Sequence, residues 1–121
     1  MGWDDRKDML LWIAKIIQKD PQAEIVLLGV SMGGATVMNT SGEKLPSNVK
    51  AIVEDCGFTS TVDVFAYQLK QLYGLPKFPV LYAANTVVKM RAGYDIFKSS
   101  AIKQVAKSKT PILFIHGDKD T

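Results

Sequence analysis

The sequence predicts an α/β fold in which three parallel strands are flanked by helices, with a helical, cap-like segment between the second and third strands. Three observations carry this. Strand-like segments at 25–30, 49–55 and 111–115 are interleaved with stretches of helical periodicity. The first run, Ile25-Val26-Leu27-Leu28-Gly29-Val30, has no polar alternation, the pattern of a strand covered on both faces in a parallel sheet. Helix–strand–helix–strand order with short connections then demands right-handed crossovers.

Asp4, Asp5 and Asp8 at one end and Lys15 and Lys19 at the other bracket a first helix of about four turns, each set complementing the helix dipole. Met9, Ile13, Ile16 and Ile17, with Trp12 beside them, fall on one face at spacings of three and four, and that face is expected to pack on the sheet. Pro21 ends the helix by disfavouring helical geometry at Asp20.

After the first strand comes Gly29-Val30-Ser31-Met32-Gly33-Gly34. An apolar run followed by Gly-x-Ser-x-Gly reads as a nucleophile elbow, in which the chain leaves a buried strand, turns sharply at the serine and enters a helix at once. Ser31 is expected in a strained backbone conformation that lifts its hydroxyl above the sheet. Gly29 and Gly33 are expected to lack a side chain because strand and helix pass closely there. The N–H of Met32, at a helix N-terminus, is placed to bind an oxyanion. Gly29 to Thr36 also reads G-x-x-x-x-G-A-T, one residue short of a phosphate-binding loop, and the next strand ends in Glu54-Asp55. Ala35 stands where that loop needs a lysine, which removes its strongest phosphate contact.

The helix from Met32 to Thr40 contains poor helix formers (Gly33, Gly34, Thr36, Asn39) and must be held by burial, with Ser41-Gly42 as its C-terminal cap. Between the second strand and Thr110, Val62, Phe65, Ala66, Leu69, Leu72 and Tyr73 mark an amphipathic helix broken by Gly74-Leu75-Pro76. Pro79 opens another through Leu81, Tyr82, Val87 and Val88 to Arg91-Ala92-Gly93, and Ser99 or Ser100 caps a short one carrying Ile102 and Val105. These helices either cover the sheet as a layer or form a small cap whose aromatics line an acyl pocket. The last strand, Pro111–Ile115, runs into His116-Gly117-Asp118-Lys119-Asp120. Functional groups of open α/β sheets gather beyond the carboxyl ends of the strands, where Ser31, Asp55 and Asp120 all fall.

Composition narrows the class. At 121 residues the chain holds at most one small domain, and with 47% apolar and 22% charged residues it reads as globular rather than disordered. Its net charge of +3 is scattered along the sequence without the aromatic interleaving of a nucleic-acid groove, so no nucleic-acid partner is expected. One cysteine and one histidine make neither a disulfide nor a metal site, and no cofactor is expected. No stretch has the length of a membrane span. Cytoplasmic localisation is the default, with a membrane anchor on a preceding segment left open. Cys56 reads as a small buried hydrophobe rather than a nucleophile.

Together, Gly29-Val30-Ser31-Met32-Gly33-Gly34 and His116-Gly117-Asp118-Lys119-Asp120 resemble the core of the α/β-hydrolase superfamily, most nearly its bacterial esterase and serine-aminopeptidase-like branch. The resemblance covers the whole chain as the central fragment of one such domain. It divides into helix, strand, elbow, helix and strand (1–57), a cap-like insertion (58–110), and a strand with an acid loop (111–121). The resemblance implies a partial α/β-hydrolase fold whose strands are the fifth to seventh of eight. It implies Ser31 as nucleophile, the Met32 amide as half the oxyanion hole, and Asp120 as the triad acid in an H-G-x-x-D pattern. Asp55 and Asp118 are the rival acids. His116 is the pair's structural histidine in this comparison, not the base. The base histidine and the second oxyanion donor are expected outside residues 1–121. The chain alone is therefore expected to be inactive and, with both outer strands unpaired, to self-associate through its open edges. The implied activity is that of a serine carboxylesterase on a small ester or acyl substrate. A peptidase or thioesterase shares the same acyl-transfer steps, and a noncatalytic binding relative is the alternative from another class.

Overall fold

The computed structural model describes residues 2–93, 95–98 and 100–119. The first helix, α1, spans Asp5–Lys19, with Asp5 and Asp8 in its first turn and Lys19 in its last. Asp20 takes an extended conformation (φ −141°, ψ 98°), as the residue before a proline should. Ile13 is fully buried, and Met9, Leu10 and Ile17 pack with it. The buried stripe differs from the expected one: Ile16 and Trp12 are exposed. At about 100° per residue, Leu10 and Ile16 lie about 60° to opposite sides of Ile13. The core lies on the Leu10 side, so Ile16 and then Trp12 rotate out into solvent.

Strands β1 (Ile25–Val30), β2 (Val49–Asp55) and β3 (Ile112–Ile115) form one parallel sheet in that order. Leu27, Ile52 and Ile112 share a register row on the face that α1 and the helix α2 (Met32–Ser41) cover, and Ile52 is completely enclosed. The expectation that both faces of β1 are covered does not hold within the described residues. Val26, Leu28 and Val30 alternate outward and are 54–67% exposed, because α1 and α2 pack on the same side.

Helix α2 shows how a segment of low helix propensity is held. Every residue from Gly34 to Ser41 is buried. Its polar side chains bond back to their own helix: Thr36 Oγ1 donates to the Met32 carbonyl at 2.9 Å, Asn39 Nδ2 to Ala35 at 2.8 Å, and Thr40 Oγ1 to Thr36 at 2.8 Å. Each buried donor is thereby satisfied without a partner from another element.

Helices α3 (Thr61–Tyr73) and α4 (Lys77–Ala92) pack on each other and on a 3₁₀ turn, Ile96–Lys98, around Val62, Leu81 and Ile96. Phe78 is non-helical (φ −101°, ψ 136°), so regular helix begins at Pro79, as the sequence suggests. Ser60 caps α3, its Oγ accepting from the Asp63 N–H at 3.1 Å. Of the two serines proposed to cap the short helix α5 (Ala101–Val105), Ser99 lies outside the described residues and Ser100 holds the cap position without a side-chain bond. A bridge between Ser60 and Ser100, with the Ala101 N–H on the Thr59 carbonyl at 2.9 Å, ties the two ends of this excursion together. α5 then returns the chain to α2 before β3.

Candidate active site

The carboxyl ends of the three strands are level. Val30, Asp55 and Ile115 form one register row. The residues after them continue the ladder: the Ser31 N–H donates to the Asp55 carbonyl and the Cys56 N–H to the Ile115 carbonyl, each at 2.8 Å. Ser31, Cys56 and His116 therefore stand side by side on one rim, and neighbouring strands are about 4.8 Å apart.

Ser31 has φ 53° and ψ −113°, a region L-residues avoid, and Cys56 beside it has φ 45°. They are the two non-glycine residues of positive φ among those described. Each such conformation costs about 1–3 kcal/mol and persists only where its surroundings fix it. For Ser31 the cause is the immediate reversal from β1 into α2. That reversal brings the two elements so close that a Cβ on Gly29 would lie 2.1 Å from the Gly33 carbonyl oxygen. Both glycines are expected from the sequence to have a steric role, and the structure separates them. Gly33 contributes only its backbone, and a Cβ there meets nothing within 4 Å.

A second tight contact joins Gly34 to Gly57. A Cβ on Gly34 would sit 3.0 Å from the Gly57 Cα, and one on Gly57 would sit 2.9 Å from the Gly34 carbonyl carbon. Glu54, buried at the end of β2, accepts a short hydrogen bond from the Gly57 N–H through Oε1. The loop after β2 is thus clamped to the first turn of α2, and that clamp places Phe58 and the start of α3 beside Ser31. A cavity of about 510 Å³ opens there. It is lined by Ser31, Cys56 and His116 together with the apolar side chains of Phe58, Val64 and Tyr67. Asp63 and Gln68 add polar groups to the lining.

The N–H of Met32 belongs to the first turn of α2, whose amides have no intrahelical acceptor. Asp55 is half-buried and offers its main chain to Ser31. Asp118 is exposed in a turn, and Asp120 lies outside the described residues. Cys56, expected to be buried, is half-buried and lines the cavity. Ala35 is fully enclosed and the Thr36 hydroxyl is committed to its own helix, so the strand–turn–helix does not offer a phosphate loop's side chains.

A family model described as alpha/beta hydrolase fold matches residues 3–93, a span running from α1 through the elbow and both of the first two strands to the end of α4. The chain belongs to the α/β-hydrolase fold family. It is similar to an uncharacterized protein of Bacillus subtilis (strain 168), YqkD, with 33% identity over 92 residues. That match takes in 76% of this chain and 30% of YqkD, so the chain spans less than a third of that relative's length. No solved structure matches it significantly. Within this α/β-hydrolase chain the signal for the elbow lay in plain view at 29–34. The cavity wall was harder to see. Its trace in the sequence is the cap Ser60-x-x-Asp63, which starts a helix five residues after β2 and so turns positions 63, 64, 67 and 68 towards the serine.

Proposed function

We propose that the protein is a serine hydrolase of carboxylic esters working through an acyl-enzyme on Ser31. One observation carries this reading: a serine held at positive φ on a strand-to-helix reversal, facing a cavity with an apolar wall. The Ser31 hydroxyl attacks the ester carbonyl while a histidine base takes its proton. The developing oxyanion is received by the Met32 N–H, and the alcohol leaves with the proton returned by the base. Water then attacks the acyl-enzyme by the same route in reverse. Asp120 is proposed as the carboxylate that orients the base, in line with the H-G-x-x-D pattern. The acyl group would rest against Phe58, Val64 and Tyr67.

A fluorophosphonate probe tests the nucleophile, applied to the full-length protein and its Ser31→Ala variant. Stoichiometric labelling lost in the variant is expected, and labelling that survives the substitution sinks the assignment. A p-nitrophenyl ester series run beside peptide anilides and acyl thioesters reads the bond class. Faster turnover of the anilides would move the protein to the peptidases.

A further inference from the structure

We propose that the turn between α3 and α4 is a docking surface for an anionic phospholipid bilayer. The inference goes beyond the reaction at Ser31 and does not depend on it. Counted by segment, the charge of this chain is uneven. Residues 58–110 carry eight Lys and Arg against two Asp, a net of +6, while the remainder carries seven against ten. Both aspartates of the segment are engaged, Asp63 near Lys77 at 3.8 Å and Asp95 with Lys89 at 2.7 Å. Lys70, Arg91 and Lys98 have no acidic partner among the described residues.

The turn itself reads Lys70-Gln71-Leu72-Tyr73-Gly74-Leu75-Pro76-Lys77-Phe78. Leu72, Tyr73 and Phe78 are 69–72% exposed, and Leu75 is also exposed. Their display is fixed by the backbone. Gly74 closes α3 in the left-handed conformation (φ 64°), its N–H on the Lys70 carbonyl at 3.0 Å and that of Leu75 on Leu69 at 3.3 Å. The apolar surface continues away from the turn as a row of rings, Phe78 on Tyr82 at 5.4 Å and Tyr82 on Phe97 at 5.1 Å. An isolated exposed leucine needs no explanation; a contiguous patch of this size, bordered by lysines, does. Aromatic and aliphatic side chains beside exposed lysines, Lys70 without an acidic partner among the described residues and Lys77 only loosely paired with Asp63 at 3.8 Å, are the chemistry that inserts at the headgroup boundary and is held there by anionic lipid. A second copy of this chain fits less well, because a two-fold contact through the turn would gather four lysines, Lys70 and Lys77 from each copy, at one interface. The cavity wall at Gln68 lies only about 6 Å along α3 from Leu72, so docking here would bring the Ser31 cavity close to the bilayer.

Co-sedimentation of the full-length protein with vesicles tests this, using phosphatidylcholine alone against a phosphatidylcholine–phosphatidylglycerol mixture. Partitioning into the mixed vesicles is expected to be at least about tenfold stronger and to weaken with added salt. The double variant L72S/F78S should lose about tenfold or more of that binding with its circular dichroism unchanged, and K70E/K77E should abolish the preference for anionic lipid. Equal or absent binding to the two vesicle types would overturn the proposal, as would binding that both variants retain. Sedimentation equilibrium showing a dimer that L72S/F78S dissociates, without vesicle binding, would assign the surface to self-association instead.

Discussion

The two glycines of the elbow should respond to alanine with opposite signs. In Gly29→Ala the new methyl would lie 2.1 Å from the Gly33 oxygen, 2.3 Å from its carbonyl carbon and 2.8 Å from the Gly34 nitrogen. All three are backbone atoms, so no rotamer change relieves the overlap. Restoring ordinary contact requires β1 and α2 to separate by about 1 Å, and a gap of that size forfeits about half of each dispersion contact it opens. With about 20 atom pairs across the crossing at about 0.15 kcal/mol each, the lost attraction is about 1.5 kcal/mol. Residual crowding adds about 1–3 kcal/mol. A total of about 2.5–4.5 kcal/mol is a large share of a small domain's stability. In Gly33→Ala the methyl meets nothing within 4 Å. Replacing glycine in a helix then stabilises by about 0.5–1 kcal/mol, since the unfolded chain has less freedom to lose.

Urea titration followed by circular dichroism reads both. At an m-value of about 1–3 kcal/mol/M, the midpoint of Gly29→Ala should fall by about 1–4 M and that of Gly33→Ala should rise by about 0.2–1 M, with m unchanged. If Gly29→Ala lies within about 0.5 kcal/mol of the parent, or if both variants lose stability alike, then β1 and α2 do not cross at this separation and the strain at Ser31 loses its cause.

Other expectations follow from particular contacts. Ser60→Ala removes the acceptor of the Asp63 N–H at the start of α3 and should cost about 1 kcal/mol by thermal unfolding. Asn85→Ala takes the acceptor from the N–H of the buried Ile96, 3.0 Å away, and should cost about 1–3 kcal/mol. The Lys89 ammonium, together with the N–H of Phe97 and Asn85 Nδ2, holds the Asp95 carboxyl below its ordinary range. That contribution to stability is therefore complete above the unfolded-state value and is lost as pH falls through the lower folded one, so Asp95→Asn should flatten the acid side of the stability profile. On the proposed reading, Asp120→Asn in the full-length protein is expected to reduce ester turnover by about 10⁴, whereas Asp55→Asn, Asp118→Asn and His116→Gln should each cost less than about tenfold. A loss at His116 as large as that at Ser31 would make it the base.

What could be read from the residues, and what could not, divides along a physical line. The elbow was legible because its demands are local: a serine between glycines, after an apolar run, can satisfy a strand-to-helix reversal with few alternatives. The breaks at Pro21 and Gly74 and the helix start at Pro79 were legible for the same reason, whereas the strand order rested on the family resemblance. The side of α1 that turns inward was not, because Met9, Leu10, Ile13, Ile16 and Ile17 span more than one face and only the position of the sheet chooses between Leu10 and Ile16. The cavity wall depends on a clamp between Gly34 and Gly57, residues 23 positions apart, and neither neighbourhood announces the other.

The open face of the sheet is the most instructive departure. Val26, Leu28 and Val30 follow the composition of a strand covered on both sides, yet they are exposed while α1 and α2 cover the opposite face. Leu113 and Ile115 continue the same face along β3, in register with Val53 and Asp55. A polar outer face would have been written as alternation, as antiparallel sheets with one wet side are. An unbroken apolar run records instead the environment in which the strand was selected, and the pattern in β1 is that of a strand with a second helical layer above it. Charged substitutions there give the argument a direct reading. If this face is covered in the full-length protein, Leu28→Lys should destabilise it by several kcal/mol, because an unpaired ammonium would be taken out of water. If the face is solvated as it is in residues 2–119, the same lysine should change stability by no more than about 0.5 kcal/mol.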